Sequence, residues 1–175
     1  MGSIWFSSDL HLGHSNIIKH CNRPFKDVDE MDQTLIDNWN SRIGDRDRVY
    51  LLGDFTFKNV KGAQEYLDQL NGTIHFIKGN HDTKYSSLSP SSKLVLLGEY
   101  HELRYNKRKY VLCHYPFESW NGSYRGSIHL HGHCHGSLGV ADAPDGFSGP
   151  GRLDVGVDCH NFYPISLEQV HEYLE

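Results

Sequence analysis

The sequence predicts an α/β fold, and three observations carry that prediction. Over residues 4–82, short apolar runs alternate with helix-period segments in the order strand, helix, strand, helix, strand, the pattern of parallel strands joined by helical crossovers. Aspartate, histidine or asparagine follows each of those runs, and open α/β sheets collect their ligands at the carboxyl ends of their strands. Beyond residue 93 closely spaced strands take over, with Asn106-Lys107 as a hairpin tip.

Ile4-Trp5-Phe6 begins the first strand and leads into Ser7-Ser8-Asp9-Leu10-His11. In extended chain positions i and i+2 share a face, so Asp9 and His11 can address one ion together. Cys21 to Phe25 is loop-like around Pro24. Asp29 or Asp32 is placed to cap a helix reaching Ile43, with Met31, Leu35, Ile36, Trp39 and Ile43 on its apolar face and Gly44 as its stop. Arg48 to Leu52 reads as a buried strand ending at Gly53-Asp54. A second helix is expected from about Lys61 to Leu70, burying Ala63, Tyr66, Leu67 and Leu70 and ending at Asn71-Gly72. Thr73 to Ile77 is the third strand and stops in Lys78-Gly79-Asn80-His81-Asp82.

Thr83 to Ser92 is a polar loop. Leu94 to Leu97, Tyr100 to Tyr105 and Lys109 to Cys113 read as strands, the last followed by His114. After a polar loop over Ser119 to Gly126, Ile128 to His131 is a strand ending at Gly132-His133-Cys134-His135. Ala141 to Gly151 is a Gly/Pro loop and Arg152 to Val157 a further strand. Ser166 and Gln169 form a capping box for a closing helix that buries Leu167, Val170 and Leu174. There is no internal repeat or linker, so residues 1–175 are expected to form a single domain, a length that buries roughly 70% of the unfolded surface.

The formal charge of −5 argues against a broad basic face that grips duplex nucleic acid. It leaves a small phosphorylated substrate, such as a nucleotide, open as partner. Cys21, Cys113, Cys134 and Cys159 form no Cys-x-x-Cys pair and follow no secretory signal, so reduced thiols in a cytoplasmic protein are expected. No apolar run reaches the length of a membrane span, so no membrane partner is expected.

Asp9-x-His11, Gly53-Asp54, Gly79-Asn80-His81-Asp82, His114 and Gly132-His133-Cys134-His135 occur in that order. Together they resemble the motif set of the calcineurin-like metallophosphoesterase superfamily. The match spans residues 9 to 135. The wording from Asp9 to Arg23, with Trp39-Asn40, is also similar to small bacterial and phage phosphoesterases of that superfamily. The resemblance implies a four-layer αββα sandwich, two sheets between helices, with the site at the carboxyl ends of strands. It implies one divalent ion held by Asp9, His11, Asp54 and His135, and a second held by Asp54, Asn80, His114 and His133, with Asp54 bridging. It further implies hydrolysis of a phosphodiester or phosphomonoester by metal-bound hydroxide, with His81 assisting the leaving group and Asp82 orienting His81.

The chemistry of these residues is consistent with that. Two ions about 3.5–4 Å apart need a shared carboxylate. Imidazole, carboxylate and amide oxygen suit manganese, iron or zinc without favouring one; manganese is the first expectation, with iron, zinc or nickel as the others. Singly, each residue has a plainer reading: Asp9 as a turn cap, Asp54 as a loop carboxylate, His114 as a core histidine. The ordered set, each member at a strand end, favours the metal site. Ile128 to His135 could instead hold one structural zinc with Cys134, although in extended chain Cys134 points away from His133 and His135. His14, Asn16 and Arg23 either line a substrate pocket, with Arg23 on phosphate oxygens, or belong to a solvated loop. Two other functions are carried: a metal-binding regulatory or scaffold module without turnover, and a serine/threonine protein phosphatase. Asp54-Phe55-Thr56-Phe57 departs from the Gly-Asp-x-Val-Asp-Arg-Gly run of those phosphatases, and Asp82 stands where they carry Glu.

Overall fold

The computed structural model describes residues 2–139, 141–142 and 151–174. Its first half contains β1 (Ile4–Ser7), α1 (Ser15–His20), α2 (Val28–Arg42), β2 (Arg48–Leu51), α3 (Val60–Leu67), β3 (Thr73–Ile77) and β4 (Leu94–Gly98). Then follow β5 (Tyr100–Tyr105), β6 (Arg108–Cys113), β7 (Ile128–His131), β8 (Ala141–Asp142), β9 (Arg152–Asp154), β10 (Ile165–Ser166) and α4 (Leu167–Leu174). The strands form two five-stranded sheets, ordered β10-β1-β2-β3-β4 and β5-β6-β7-β9-β8. β1 to β4 are parallel, as are β6, β7 and β9. The antiparallel strands β10, β5 and β8 are at sheet edges.

Side-chain alternation along β1 to β3 sorts the molecule into layers. Val49, Leu51, Ile74 and Phe76 join Met31, Leu35, Trp39, Ala63 and Leu67 in a core between the first sheet and its helices. The alternate residues Phe6, Tyr50, Leu52 and Ile77 meet Leu103, Tyr110, Leu112, Ile128, Leu130 and Leu153 between the two sheets. These strands are buried on both faces, as parallel strands with covered faces are. The expected α/β fold with two sheets and helices is therefore present. On the far side, Phe117 and Trp120 from the segment after β6 pack against His129 of the second sheet. Among the described residues a loop with a one-turn helix at Ser123–Arg125 occupies that layer in place of a long helix. α4 instead contributes Leu167 and Val170 to the inter-sheet core.

Local chemistry accounts for the boundaries. The cap of α2 is Asp27, not Asp29 or Asp32: its side chain accepts the Glu30 amide at 2.9 Å while Glu30 accepts the Lys26 amide at 2.7 Å. Asp32 is instead buried, taking the Gly13 amide and the Tyr66 hydroxyl. α3 starts one residue earlier than expected because Asn59 caps it through the Gly62 amide, and it ends at Leu67. The tip residues Asn106 and Lys107 have φ of 47° and 65°, as a type I′ hairpin requires. The strand expected to reach Val157 stops at Asp154, and Val157–Cys159 is a one-turn helix. Of the expected Gly/Pro loop over Ala141 to Gly151, residues 143–150 lie outside the described residues. Among the described residues no helix is long and apolar enough to cross a membrane.

Candidate metal centre

The carboxyl ends of β1, β2, β6 and β7 are stitched together by backbone hydrogen bonds. The Asp9 amide donates to Gly53 O at 3.1 Å, His11 to Asp54 O at 3.0 Å, and Gly132 to His114 O at 3.0 Å. Five of the candidate ligands leave their strands in the left-handed backbone region: Asp9 (φ 59°), His11 (52°), Asp54 (53°), His133 (71°) and His135 (46°). Asp9 and His11 thus converge through two left-handed turns, not through the strand alternation expected of them. Aspartate and histidine are among the few non-glycine residues that tolerate this region.

Two glycines allow the strand ends to come this close. A Cβ on Gly79 would lie 2.6 Å from the Asp54 backbone nitrogen, and one on Gly132 would lie 2.7 Å from Ser8 Cβ and closer still to Asp9 Oδ2.

The side chains gather into two groups. In Asp9, His11 and His135 the candidate ligand atoms lie within 4.8 Å of one another, and the same holds for Asp54, His114 and His133. Asp54 Oδ2 faces both groups, 3.6 Å from His11 Nε2 and 3.4 Å from His114 Nε2. Its other oxygen accepts the His81 amide at 2.9 Å. Asn80 Oδ1 lies 2.9 Å from His114 Nε2. Asp9 Oδ2 accepts the His133 amide at 2.9 Å, leaving Oδ1 at 3.9 Å from His11 Nε2 and 4.0 Å from His135 Nε2.

Asp9 Oδ1 and both His11 ring nitrogens are buried without a hydrogen-bond partner. A buried polar atom left unsatisfied is costly. Donors about 2.0–2.2 Å from a shared cation would stand roughly 3–4 Å apart, which is the spacing seen here. The residues therefore fit divalent metal.

Burial pushes the Asp9 carboxyl up from 3.8 to about 7, against the pull of His114 and His135. Burial also drives His11 down from 6.5 to about 3. At Asp54 burial raises the pKa, but the His114 hydrogen bond and charge and the His81 amide outweigh it, and the carboxyl falls to about 2. Burial lowers His135 too, yet its hydrogen bonds to Asp158 and Cys21 and the charges of Asp9 and Asp158 together outweigh that and lift it to about 10.

These shifts predict how the metal-free chain responds to pH. Above pH 6.5 an unfolded histidine has lost its proton, whereas His135 holds one up to about 10. The folded state then binds more protons than the unfolded state, so stability falls as pH rises through that window. Between 3.8 and about 7 Asp9 contributes in the same direction. Below 6.5 the depressed His11 opposes it. Chelator-treated protein should therefore melt at a lower temperature at pH 9 than at pH 6.5, while metal-loaded protein, its ligand protons displaced, should hold its value. A metal-free melting temperature that rises over this range would contradict the assignment.

The other sequence-predicted residues divide. His81 is at the mouth, its side chain 42% exposed and Nε2 4.0 Å from Asp54 Oδ2. His14 is also there, stacked on Phe57 with ring centroids 3.9 Å apart. Asn16 is exposed on α1, with no hydrogen bond to the site among the described residues. Asp82 does not orient His81. Its buried carboxylate accepts the amides of Asp54 (2.8 Å), Gly79 (2.7 Å) and Phe55 (3.0 Å), bracing the β2 and β3 ends against each other. Arg23 is not aimed at phosphate. It is 4% exposed, and its guanidinium donates to the carbonyls of Asp9 and Leu10 and, through Nε and Nη2, to both oxygens of Asp158.

Asp158 itself escaped the sequence reading. Its Oδ2 lies 2.7 Å from His135 Nδ1, which leaves Nε2 of His135 turned toward Asp9. Cys134 belongs to no metal-competent group among the described residues; the cysteine that does is Cys21, with His135 and Asp158. Phe57 and Tyr115, 46% and 44% exposed, were also missed. Phe57 packs on His81 and Tyr115 on His133, and only their place in loops after ligand-bearing strands could have signalled it.

Residues 2–162 match the family model described as calcineurin-like phosphoesterase. An uncharacterized protein of Methanocaldococcus jannaschii is 40% identical over 100% of this chain and 93% of its own length. The Gene 66 protein of Mycobacterium phage D29 is 26% identical over 99% of this chain and 96% of its own. The solved structure of a protein of unknown function from Aquifex aeolicus matches in fold with a TM-score of 0.71, at 22% identity, covering 98% of this chain and 99% of that one.

Proposed function

The chain belongs to the calcineurin-like phosphoesterase family, and from that premise we propose that it is a metal-dependent hydrolase of phosphodiesters or phosphomonoesters with a small substrate. The observation that supports this most is Asp54 Oδ2, one buried carboxylate oxygen set between two groups of candidate ligands. When bound, two divalent ions, manganese first with iron, zinc or nickel as the others, would supply Lewis-acid stabilisation of the phosphoryl oxygens and activation of water.

The chain's own residues do the rest. Asp9, His11, Asp54 and His135 would hold one ion, and Asp54, Asn80, His114 and His133 the other. Asp158, locked by Arg23, fixes the ring of His135. Asp82 and the His81 amide fix the loop and one oxygen of Asp54, so its other oxygen keeps its aim. The exposed His81 imidazole, leaning on Phe57, is positioned to hand a proton from its ring to the departing oxygen.

The reading is tested by hydrolysis of a nitrophenyl phosphodiester with added Mn²⁺ and its loss on chelation. Stoichiometric metal without turnover on any phosphate ester would favour the scaffold reading. The role of His81 has a sharper test. His81→Ala should keep the metal content of the parent, because this residue is not among the candidate ligands. Alkyl esters, whose alkoxide leaving group needs a proton, should slow by roughly 10²–10⁴-fold. Nitrophenyl esters should slow much less. Equal losses on both substrate types would remove the general-acid assignment.

A further inference from the structure

The His81 ring lacks the partner that an orienting carboxylate would give it. Among the described residues no hydrogen bond reaches its imidazole: Asp54 Oδ2, at 4.0 Å, is too distant, and both oxygens of Asp82 are taken by backbone amides. An exposed side chain without such a partner changes rotamer on the ps–ns scale. A general acid, by contrast, must bring its N–H within about 3 Å of the departing oxygen. A misplacement of about 1 Å can cost roughly 10²-fold in rate.

Phe57 meets that requirement. Its ring belongs to neither hydrophobic core and is 46% exposed. It packs instead on histidines from the neighbouring strand ends, with ring centroids 3.9 Å from His14, 4.6 Å from His81 and 5.9 Å from His11. His11 also meets His81 edge-on at 5.5 Å. The backbone on both sides of Phe57 is pinned. Its amide donates to Leu12 O at 3.4 Å, while Thr56 Oγ1 donates to the same carbonyl at 2.7 Å and accepts the Lys58 amide at 3.0 Å. Leu12 itself is fully buried. The ring therefore stands on a fixed base, and His14 braces it.

We propose that Phe57 is a positioning residue: braced by His14, its ring holds the His81 imidazole in one orientation at the mouth of the metal centre, the task a carboxylate would otherwise perform. The consequence for turnover rests on the hydrolase reading above. An aromatic pair favours one arrangement by roughly 2- to 12-fold, far less than the roughly 10²–10⁴-fold that the acid itself contributes. That difference separates holding the acid from being the acid.

The test uses Phe57→Leu, which keeps an apolar side chain without the ring, and Phe57→Tyr, which restores the ring. In zinc-loaded protein carrying isotope-labelled histidine, the His81 ring signals are identified by their absence in His81→Ala. Phe57→Leu should remove their ring-current displacement, and Phe57→Tyr should keep it. On metal-quantified protein, Phe57→Leu should lower kcat on alkyl esters by roughly 2- to 12-fold and on nitrophenyl esters by less, with metal content as in the parent. Phe57→Tyr should recover the alkyl ester rate. Combined with His81→Ala, Phe57→Leu should add no further loss on alkyl esters, because the two residues act as one unit. His81 signals that do not move in Phe57→Leu would overturn the proposal whatever the turnover. So would losses that multiply in the double variant, or loss of metal in Phe57→Leu, which would make the ring a brace for His11. A greater loss on nitrophenyl than on alkyl esters, carried by KM, would also overturn it and make Phe57 a platform for an aryl group of the substrate. A parent that hydrolyses neither ester would sink the hydrolase reading alone, and the ring signals would still decide whether Phe57 holds His81.

Discussion

Asp54→Asn is expected to release at least one equivalent of divalent metal and to remove nearly all turnover. The substitution is close to isosteric, and the amide oxygen can still accept the His81 amide that Asp54 Oδ1 accepts at 2.9 Å. What changes is the other terminus. Oδ2 is 3.6 Å from His11 Nε2 and 3.4 Å from His114 Nε2, and in the variant an NH₂ donor without negative charge would occupy that place. Two cations would then face each other with one bridging charge fewer. Loss of a group that only orients a ligand costs roughly 10–100-fold in metal affinity or activity, so loss of the shared ligand should exceed that. Metal content and kcat/KM measured on one preparation decide it. A variant with two ions and parent-like turnover would end the bridging assignment.

Gly132→Ala should damage both the fold and the centre. The position does not use a left-handed backbone, so alanine meets no conformational penalty there and the effect is steric. The added carbon would lie 2.7 Å from Ser8 Cβ and would overlap Asp9 Oδ2 and Ser8 Oγ. Those are the groups that hold the His133 amide and tie β1 to β2. A loss of about 1–3 kcal/mol in stability is expected from overpacking, together with weakened metal binding because Asp9 must move. Gly44→Ala is the matched control, since its nearest neighbour would be Asp47 Oδ2 at 3.7 Å, and it should be silent in both measurements. Comparable melting temperatures for the two variants would show that the strand ends can spread without loss.

The residues gathered at the centre were legible because each breaks the apolar grammar of a strand at its exit. A run such as Thr73–Ile77 that stops in Gly-Asn-His-Asp places polar groups at the end of a buried strand, and five such exits in one chain are a pattern. The unbroken apolar run over Val49 to Leu52 made a buried strand legible, and both of its faces are covered; the layer arrangement was implied only by the family resemblance.

What escaped depends on contacts between residues far apart in sequence. Arg23 and Asp158 are 135 positions apart, and neither occurs in a spacing that signals a ligand. Asp82 neighbours His81 in sequence, which suggests an orienting pair, but backbone amides 27 and 28 positions away compete for its oxygens and win. β10 and α1 were missed for want of length. Two and six residues are too few to show a period, and both are held by tertiary packing.

The left-handed backbone at Asp9, His11, Asp54, His133 and His135 restricts the donor chemistry available to the centre. A coordinating position there must satisfy its own main chain before it meets an ion. The side chains that enter this region with least penalty, apart from glycine, are asparagine, aspartate and histidine, which are oxygen and nitrogen donors. Cysteine and methionine, whose sulfur selects soft ions such as copper(I), do not share that tolerance. The turns that close the strand ends therefore filter the ligand alphabet at those five positions toward oxygen and nitrogen, at the level of φ and ψ.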